Sequence, residues 1–209
     1  MNNEQVEKYV SVMKEIKLRV EVIIALSAGR ENSVYVPPTL ESIGLQFRKC
    51  FELIAFASLA ANQQQYCAVY ADFAKHWEAA KLIKNLKRIN PFFYPKPVIE
   101  TPTDNPAASH ALADRQGDYL TESDLIEAHG RCGVLLHSAN PFGSPIDYEF
   151  FGTNFQVWLI KIMNLLNNHQ IRMQGDAGFY LIHMQEEGHD EVKWYRFQPV
   201  TIPSSQLVM

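Results

Sequence analysis

The run Arg131-Cys132-Gly133-Val134-Leu135-Leu136-His137 puts a permanent cation and a titratable ring in one short segment, and Ser138-Ala139-Asn140-Pro141-Phe142 follows it directly. Metal-free cleavage of RNA needs these two side-chain types. A base or acid must exchange protons with the 2′-hydroxyl or the leaving oxygen, and an imidazole does so near neutral pH. A cation must stabilise the crowded negative phosphate, and a guanidinium does so with a planar fork. On a helix, six positions turn the side chain by about 600°, so Arg131 and His137 are offset by about 120° and ~9 Å of rise. They share no stripe. The long arginine stem can still bring its head towards the imidazole, but a second copy of the helix across a dimer interface would serve better, and Gly130 and Gly133 would permit that approach. The structural alternative is a histidine that caps the helix C-terminus beside Asn140, with Arg131 solvated.

Two further groups of charges lie upstream. Glu41, Leu45, Arg48, Glu52, Ala55 and Leu59 fall on one helical stripe, and Arg48 and Glu52 stand at pairing distance. They are flanked by Phe47, Phe51, Leu53, Ile54 and Phe56, so charges that become partly buried there must pair. Arg48 and Glu52 would orient Arg131 or His137, or form only a structural ion pair at a helix edge. The second group is Lys75, Lys81, Lys84, Lys87 and Arg88. Lys81, Lys84 and Arg88 share a face that would neutralise a nucleic-acid backbone, with Trp77, Phe92, Phe93 and Tyr94 nearby for base stacking. The same run also reads as a solvated face whose cations suit a helix C-terminus.

The elements that must position these residues can be read from periodicity and end signals. A first helix is expected over about Asn3 to Ala28, with Val6, Tyr9, Val10, Met13, Ile16, Val20, Ile23 and Ile24 on one stripe and Gly29 as its stop. Pro37-Pro38-Thr39 opens a second helix to Ala61, and a third runs from about Gln63 to Ile89, ended by Asn90-Pro91. The proline-rich stretch from Pro91 to Leu120 is too long for an ordinary connection. It is functional, partly disordered, or hides a short helix near Ala107 to Asp114. Thr121-Glu122-Ser123-Asp124 is a capping box that starts the fourth helix, which ends near Asn140-Pro141. Ser144 then caps a fifth helix with Pro145 at its first position, running to about Gln170 and forming the centre of the core. Gly178 to Met184 and Val192 to Phe197 alternate like strands around a turn at Glu186 to Asp190, which makes a hairpin. The expected architecture is mainly α: an antiparallel bundle of about five helices over residues 1–170, with residues 171–209 as a C-terminal β-hairpin appendage of the same domain.

Composition bounds the function. The chain has 209 residues, 47% of them hydrophobic and 20% charged, which is globular and sufficient for a real core. Its formal net charge of −4 attracts no nucleic acid as a whole, so RNA binding needs a local basic patch. Cys50, Cys67 and Cys132 form no CxxC pair, which argues against a disulfide framework or a cysteine zinc site and fits a reducing compartment. The polar N-terminus is not a signal peptide, and no apolar stretch reaches spanning length, so a cytoplasmic protein with no membrane association is expected. The other histidines, His76, His110, His129, His169, His183 and His189, form no HExxH or His-x-His pattern, so neither a metal nor another cofactor is expected. His129, two residues before Arg131, is expected to point elsewhere on the helix.

The Arg131-to-His137 spacing, the helical pattern from about Thr39 to Gln170, and the segment Leu45-Gln46-Phe47-Arg48-Lys49-Cys50-Phe51-Glu52-Leu53-Ile54 together resemble the HEPN superfamily of helical-bundle ribonucleases. The family motif is an arginine followed four to six residues later by a histidine. Where many active members carry a polar residue after the arginine, this chain has Cys132. The resemblance implies a metal-independent endoribonuclease working as a homodimer with a composite site, in a toxin or phage-defence setting. It assigns Arg131 to the phosphate and His137 to proton transfer, with Arg48, Glu52 and Asn140 in support and a 2′,3′-cyclic phosphate as product. The first helix and the hairpin lie outside the resemblance. The rival reading is a non-catalytic interaction protein that docks a protein partner on the hairpin edge. A third is an enzyme using the long loop as a lid over a small-molecule pocket.

Overall fold

A computed structural model describes residues 1–29, 35–72, 75, 78–104, 109–185 and 191–199. Among them are six helices: α1 (Asn3–Ser27), α2 (Val36–Ala61), α3 (Gln63–Val69), α4 (Ala79–Ile89), α5 (Glu122–Leu136) and α6 (Tyr148–Leu166). Five strands accompany them: β1 (Lys96–Pro102), β2 (His110–Asp114), β3 (Asn168–Arg172), β4 (Phe179–His183) and β5 (Lys193–Phe197). The chain is therefore mainly helical, and no described helix is long and apolar enough to cross a membrane.

Helix α1 begins at a reciprocal cap, in which the Asn2 side chain accepts from the Gln5 amide and the Gln5 side chain accepts from the Asn2 amide. Its buried residues Val6, Tyr9, Met13, Ile16 and Ile23 follow the expected stripe. Helix α2 starts at Val36, with proline in its first turn. It packs against α1, α3, α4, α5 and α6, so α2 rather than α6 is the central helix. Phe47 and Phe51 of α2 meet Phe155 and Trp158 of α6 in a cluster of aromatic contacts.

Three helical expectations are corrected. The expected third helix is two, α3 and α4, because the chain folds back between them. Asn85 donates to the Tyr66 hydroxyl at 3.2 Å, whereas 19 residues of unbroken helix would hold the two about 28 Å apart. The fourth helix stops at Leu136, with His137 as its extended C-cap, short of Asn140-Pro141. The fifth starts at Tyr148, capped by the Asp147 carboxylate on the Phe150 amide at 2.9 Å, and Ser144 stays outside it. It ends at Leu166, whose carbonyl is taken by the His169 ring at 2.8 Å, and not at Gln170.

The sheet is larger than the expected hairpin. Its order is β2-β1-β3-β4-β5, with every described pairing antiparallel. The anticipated hairpin is there as β4 and β5, but its turn at Glu186 to Asp190 lies outside the described residues, as do His76, Trp77 and His189. The proline-rich stretch contributes β1 and β2, so His110–Asp114 form a strand where a short helix was one expectation, while positions 107 and 108 lie outside the described residues. In β1, Pro97 lacks a donor, yet its carbonyl accepts from the Arg115 amide at 3.1 Å, and Val98 and Ile99 suit an extended backbone. Sheet and helices share one core: Ile171, Tyr180 and Ile182 are buried in the same cluster as Phe47 and Trp158.

Asn90, at the end of α4, is a buried junction. Its carboxamide nitrogen donates to Asn62 Oδ1 at 2.8 Å and to the Arg172 carbonyl at 3.0 Å, and its oxygen accepts from the Phe92 amide at 2.9 Å.

Candidate functional site

Helices α2 and α5 run antiparallel along a close seam. A Cβ built at Gly44 would sit 2.5 Å from Leu135 Cδ2, and one at Gly133 would sit 2.8 Å from Arg48 Nη1. Further along, Glu52 Oε1 lies 3.3 Å from His129 Nε2. The ladder thus pairs Gly44 with Leu135, Arg48 with Gly133 and Glu52 with His129. The absence of a side chain at Gly133 lets the Arg48 guanidinium lie on the α5 backbone.

Glu52 anchors this cluster. Its carboxylate accepts from His129, is 3.3 Å from Arg48 Nε and is 3.2 Å from Lys49 Nζ, with the Glu52 side chain 15% exposed. Burial works to raise its pKa, but the hydrogen bonds and charges of His129 and Lys49 outweigh it, so the carboxyl is held below its usual range. Because a carboxylate can only accept, His129 Nε2 carries the proton in that contact. Cys132 is buried beneath Arg48, and burial pushes its thiol up to about 12 against the pull of the Arg48 charge. It fills core space and is no nucleophile.

The two residues of the sequence motif part company in the structure. His137 is exposed as the α5 C-cap and lies one turn beyond Gly133, which itself lies one turn beyond His129. His129, Gly133 and His137 therefore follow one another along α5, with Arg48 seated at the middle position. Arg131 points away from that line. Its guanidinium is 5.0 Å from the centroid of the Phe150 ring on α6 and 3.9 Å from Glu127. No hydrogen bond joins Arg131 to His137 among the described residues. Asn140 is not at the seam. Its side chain accepts from the Phe142 amide at 3.0 Å and holds a turn that leaves Phe142 97% exposed.

Arg48 and Glu52 are thus brought together as the sequence suggested, but their third partner is His129. Reading His129 against Arg131 on its own helix sets it aside. Its spacing to Gly133 and His137 was the available signal. Lys81, Lys84, Lys87 and Arg88 are all exposed along α4, opposite the buried Leu82, Ile83 and Leu86, and Lys87 pairs with Glu122 at 2.9 Å. Of the aromatics expected beside them, Phe92 is 61% exposed while Phe93 is buried in the core. Among the described residues no group of three His, Cys, Asp or Glu side chains is placed to hold a metal ion.

The seam thus sets a guanidinium, a carboxylate and an imidazole side by side, with a second, exposed imidazole one turn beyond Gly133. No protein-family model matches the chain, and neither a curated protein nor a solved structure matches it.

Proposed function

We propose that the α2/α5 seam is the site of a metal-independent endoribonuclease, in keeping with the resemblance to HEPN ribonucleases. One observation carries the reading: the Arg48 guanidinium lies over Gly133, one turn from His137, and is aimed by Glu52. A phosphate held at Arg48 meets the His137 ring at the solvent-facing end of α5. His137 takes the proton of the RNA 2′-hydroxyl, O2′ attacks phosphorus, the P–O5′ bond breaks, and the 5′-oxygen takes a proton from water, which gives a 2′,3′-cyclic phosphate. The Glu52–His129 pair positions Arg48 and offsets its charge when no substrate is bound. Arg131, parked on Phe150, serves the phosphate of a twin chain in a homodimer. The setting is cytoplasmic, in toxin or phage-defence chemistry.

The test is cleavage of a labelled RNA by purified protein. His137→Ala is expected to lower the rate at least about 100-fold while the circular-dichroism melt is unchanged. Equal rates for the two proteins overturn the reading.

A second reading is favoured by β5, the last strand of the sheet among the described residues. Trp194, Tyr195 and Phe197 on it are 43%, 40% and 42% exposed, which suits strand addition by a protein partner. Deleting residues 177–209 would be a poor test, since Tyr180, Leu181 and Ile182 of β4 are core. Trp194→Ser with Phe197→Ser is the cleaner variant. If proteins that co-purify with wild type still co-purify with this double variant, the edge is not the docking element.

A further inference from the structure

A cavity of about 220 Å³ lies where the end of α4 meets the sheet, away from the seam, and is lined among others by Phe92, Tyr94, Lys96, Tyr119, Gln170 and Arg172. Pockets for whole drug-sized ligands run to ~300–1,000 Å³, so this one suits a single planar ring. Phe92 is exposed at its mouth, and Tyr119 is half-buried across a chain segment fixed by the Tyr94 hydroxyl on the Leu120 carbonyl at 3.0 Å. Asn90 holds the Phe92 backbone in place through its amide.

The polar edge of the pocket is made of donors. Gln170 is 5% exposed, and its side-chain oxygen already accepts from Arg172 Nε and Nη2 at 3.3 and 3.0 Å. Its NH2 has no partner among the described residues. Arg172 keeps further N–H groups, and Lys96, held by Asp114 at 2.7 Å, keeps others. A ring presenting carbonyl oxygens satisfies such donors, whereas one presenting an amine at the same edge meets them donor to donor. The exposed Lys81, Lys84 and Arg88 precede Phe92 along α4 and supply the charge to carry a phosphate backbone to the pocket.

We infer that this pocket takes one unstacked uracil from a single-stranded RNA whose backbone runs along α4. The choice of RNA rests on the ribonuclease reading; the pocket chemistry does not. Tyr119 lies just before α5 and His137 caps the far end, so about 22 Å of helix separates the pocket from His137. The pocket would thus set where on a strand the seam acts.

The test is fluorescence anisotropy with labelled octauridylate and octaadenylate, on full-length protein carrying His137→Ala so that the RNA stays whole. Octauridylate is expected to bind more tightly than octaadenylate. Adding Phe92→Ala, which removes only an exposed ring, weakens octauridylate about tenfold. Adding Gln170→Ala brings the two RNAs towards equal affinity, with a thermal melt confirming the fold. Equal affinities in the parent, or no effect of Phe92→Ala, overturns the proposal. So does free uridine monophosphate binding as tightly as the octamer, or a proline-rich peptide displacing the octamer while uridine monophosphate does not. Uridylate preference without any cleavage by wild type sinks only the ribonuclease reading, and cleavage without that preference sinks only the pocket.

Discussion

Two histidines of this chain sit in opposite surroundings. His169 on β3 is fully enclosed, with Nδ1 2.8 Å from the Leu166 carbonyl and Nε2 2.8 Å from the Tyr9 hydroxyl. A carbonyl only accepts, so Nδ1 carries the hydrogen and Nε2 receives the phenol's. Burial pushes its pKa down to about 4, against the Leu166 carbonyl. His129 is 16% exposed at its side chain and meets the carboxylate of Glu52 instead. The first ring is a neutral rivet between α1 and the sheet. The second shares a charged cluster with Arg48 and Lys49 next to an exposed helix end. Full burial holds the first ring neutral, whereas the second, partly exposed, meets an anion.

The largest expected effect tests the sealed ring. Its folded pKa lies below the unfolded value of about 6.5, so the unfolded chain binds the proton first as pH falls. The stabilisation is therefore present above pH 6.5 and is lost between 6.5 and 4, by about 3 kcal/mol. Urea unfolding at pH 7.5 and pH 4.5 measures it, and a midpoint that does not move would show that His169 is not held neutral.

A smaller effect is expected at the seam. Glu52→Gln leaves Arg48, Lys49 and His129 without their anion and should cost about 1 kcal/mol in the same unfolding experiment. RNA cleavage should fall with it, because Arg48 loses its aim. Unchanged cleavage would reduce Glu52 to a structural ion pair.

Gly133→Ala gives the smallest change in stability and the sharpest separation of roles. Alanine favours helix by up to about 1 kcal/mol, and the only atom it crowds is the far end of the Arg48 side chain. The melt should hold or rise while cleavage drops. If cleavage survives, the seat of Arg48 on the α5 backbone has no part in the chemistry.

What could be read ahead of the structure was what is local. The α1 stripe, the Thr121 cap and the β4/β5 pair each follow from residues close in sequence. What could not be read depends on partners far along the chain. The α3–α4 reversal is fixed by Asn85 and Tyr66 with help from α2, and β1 and β2 lie in a proline-rich stretch whose strand character comes from pairing with each other and with β3. At the seam the ion pair of Arg48 and Glu52 was legible because it sits within one helix. Its link to His129 spans 77 residues and needed the antiparallel register of α2 and α5.

Asn90 has a consequence for motion. A single carboxamide ties the α2–α3 junction, the last residue of β3 and the backbone of Phe92. Opening any one of these exposes buried polar groups in the others, so they should open together as one cooperative unit. In hydrogen exchange, the amides around positions 62, 90 and 92 are then expected to share one protection factor. The mouth of the cavity at Phe92 would loosen only when the helical junction behind it does.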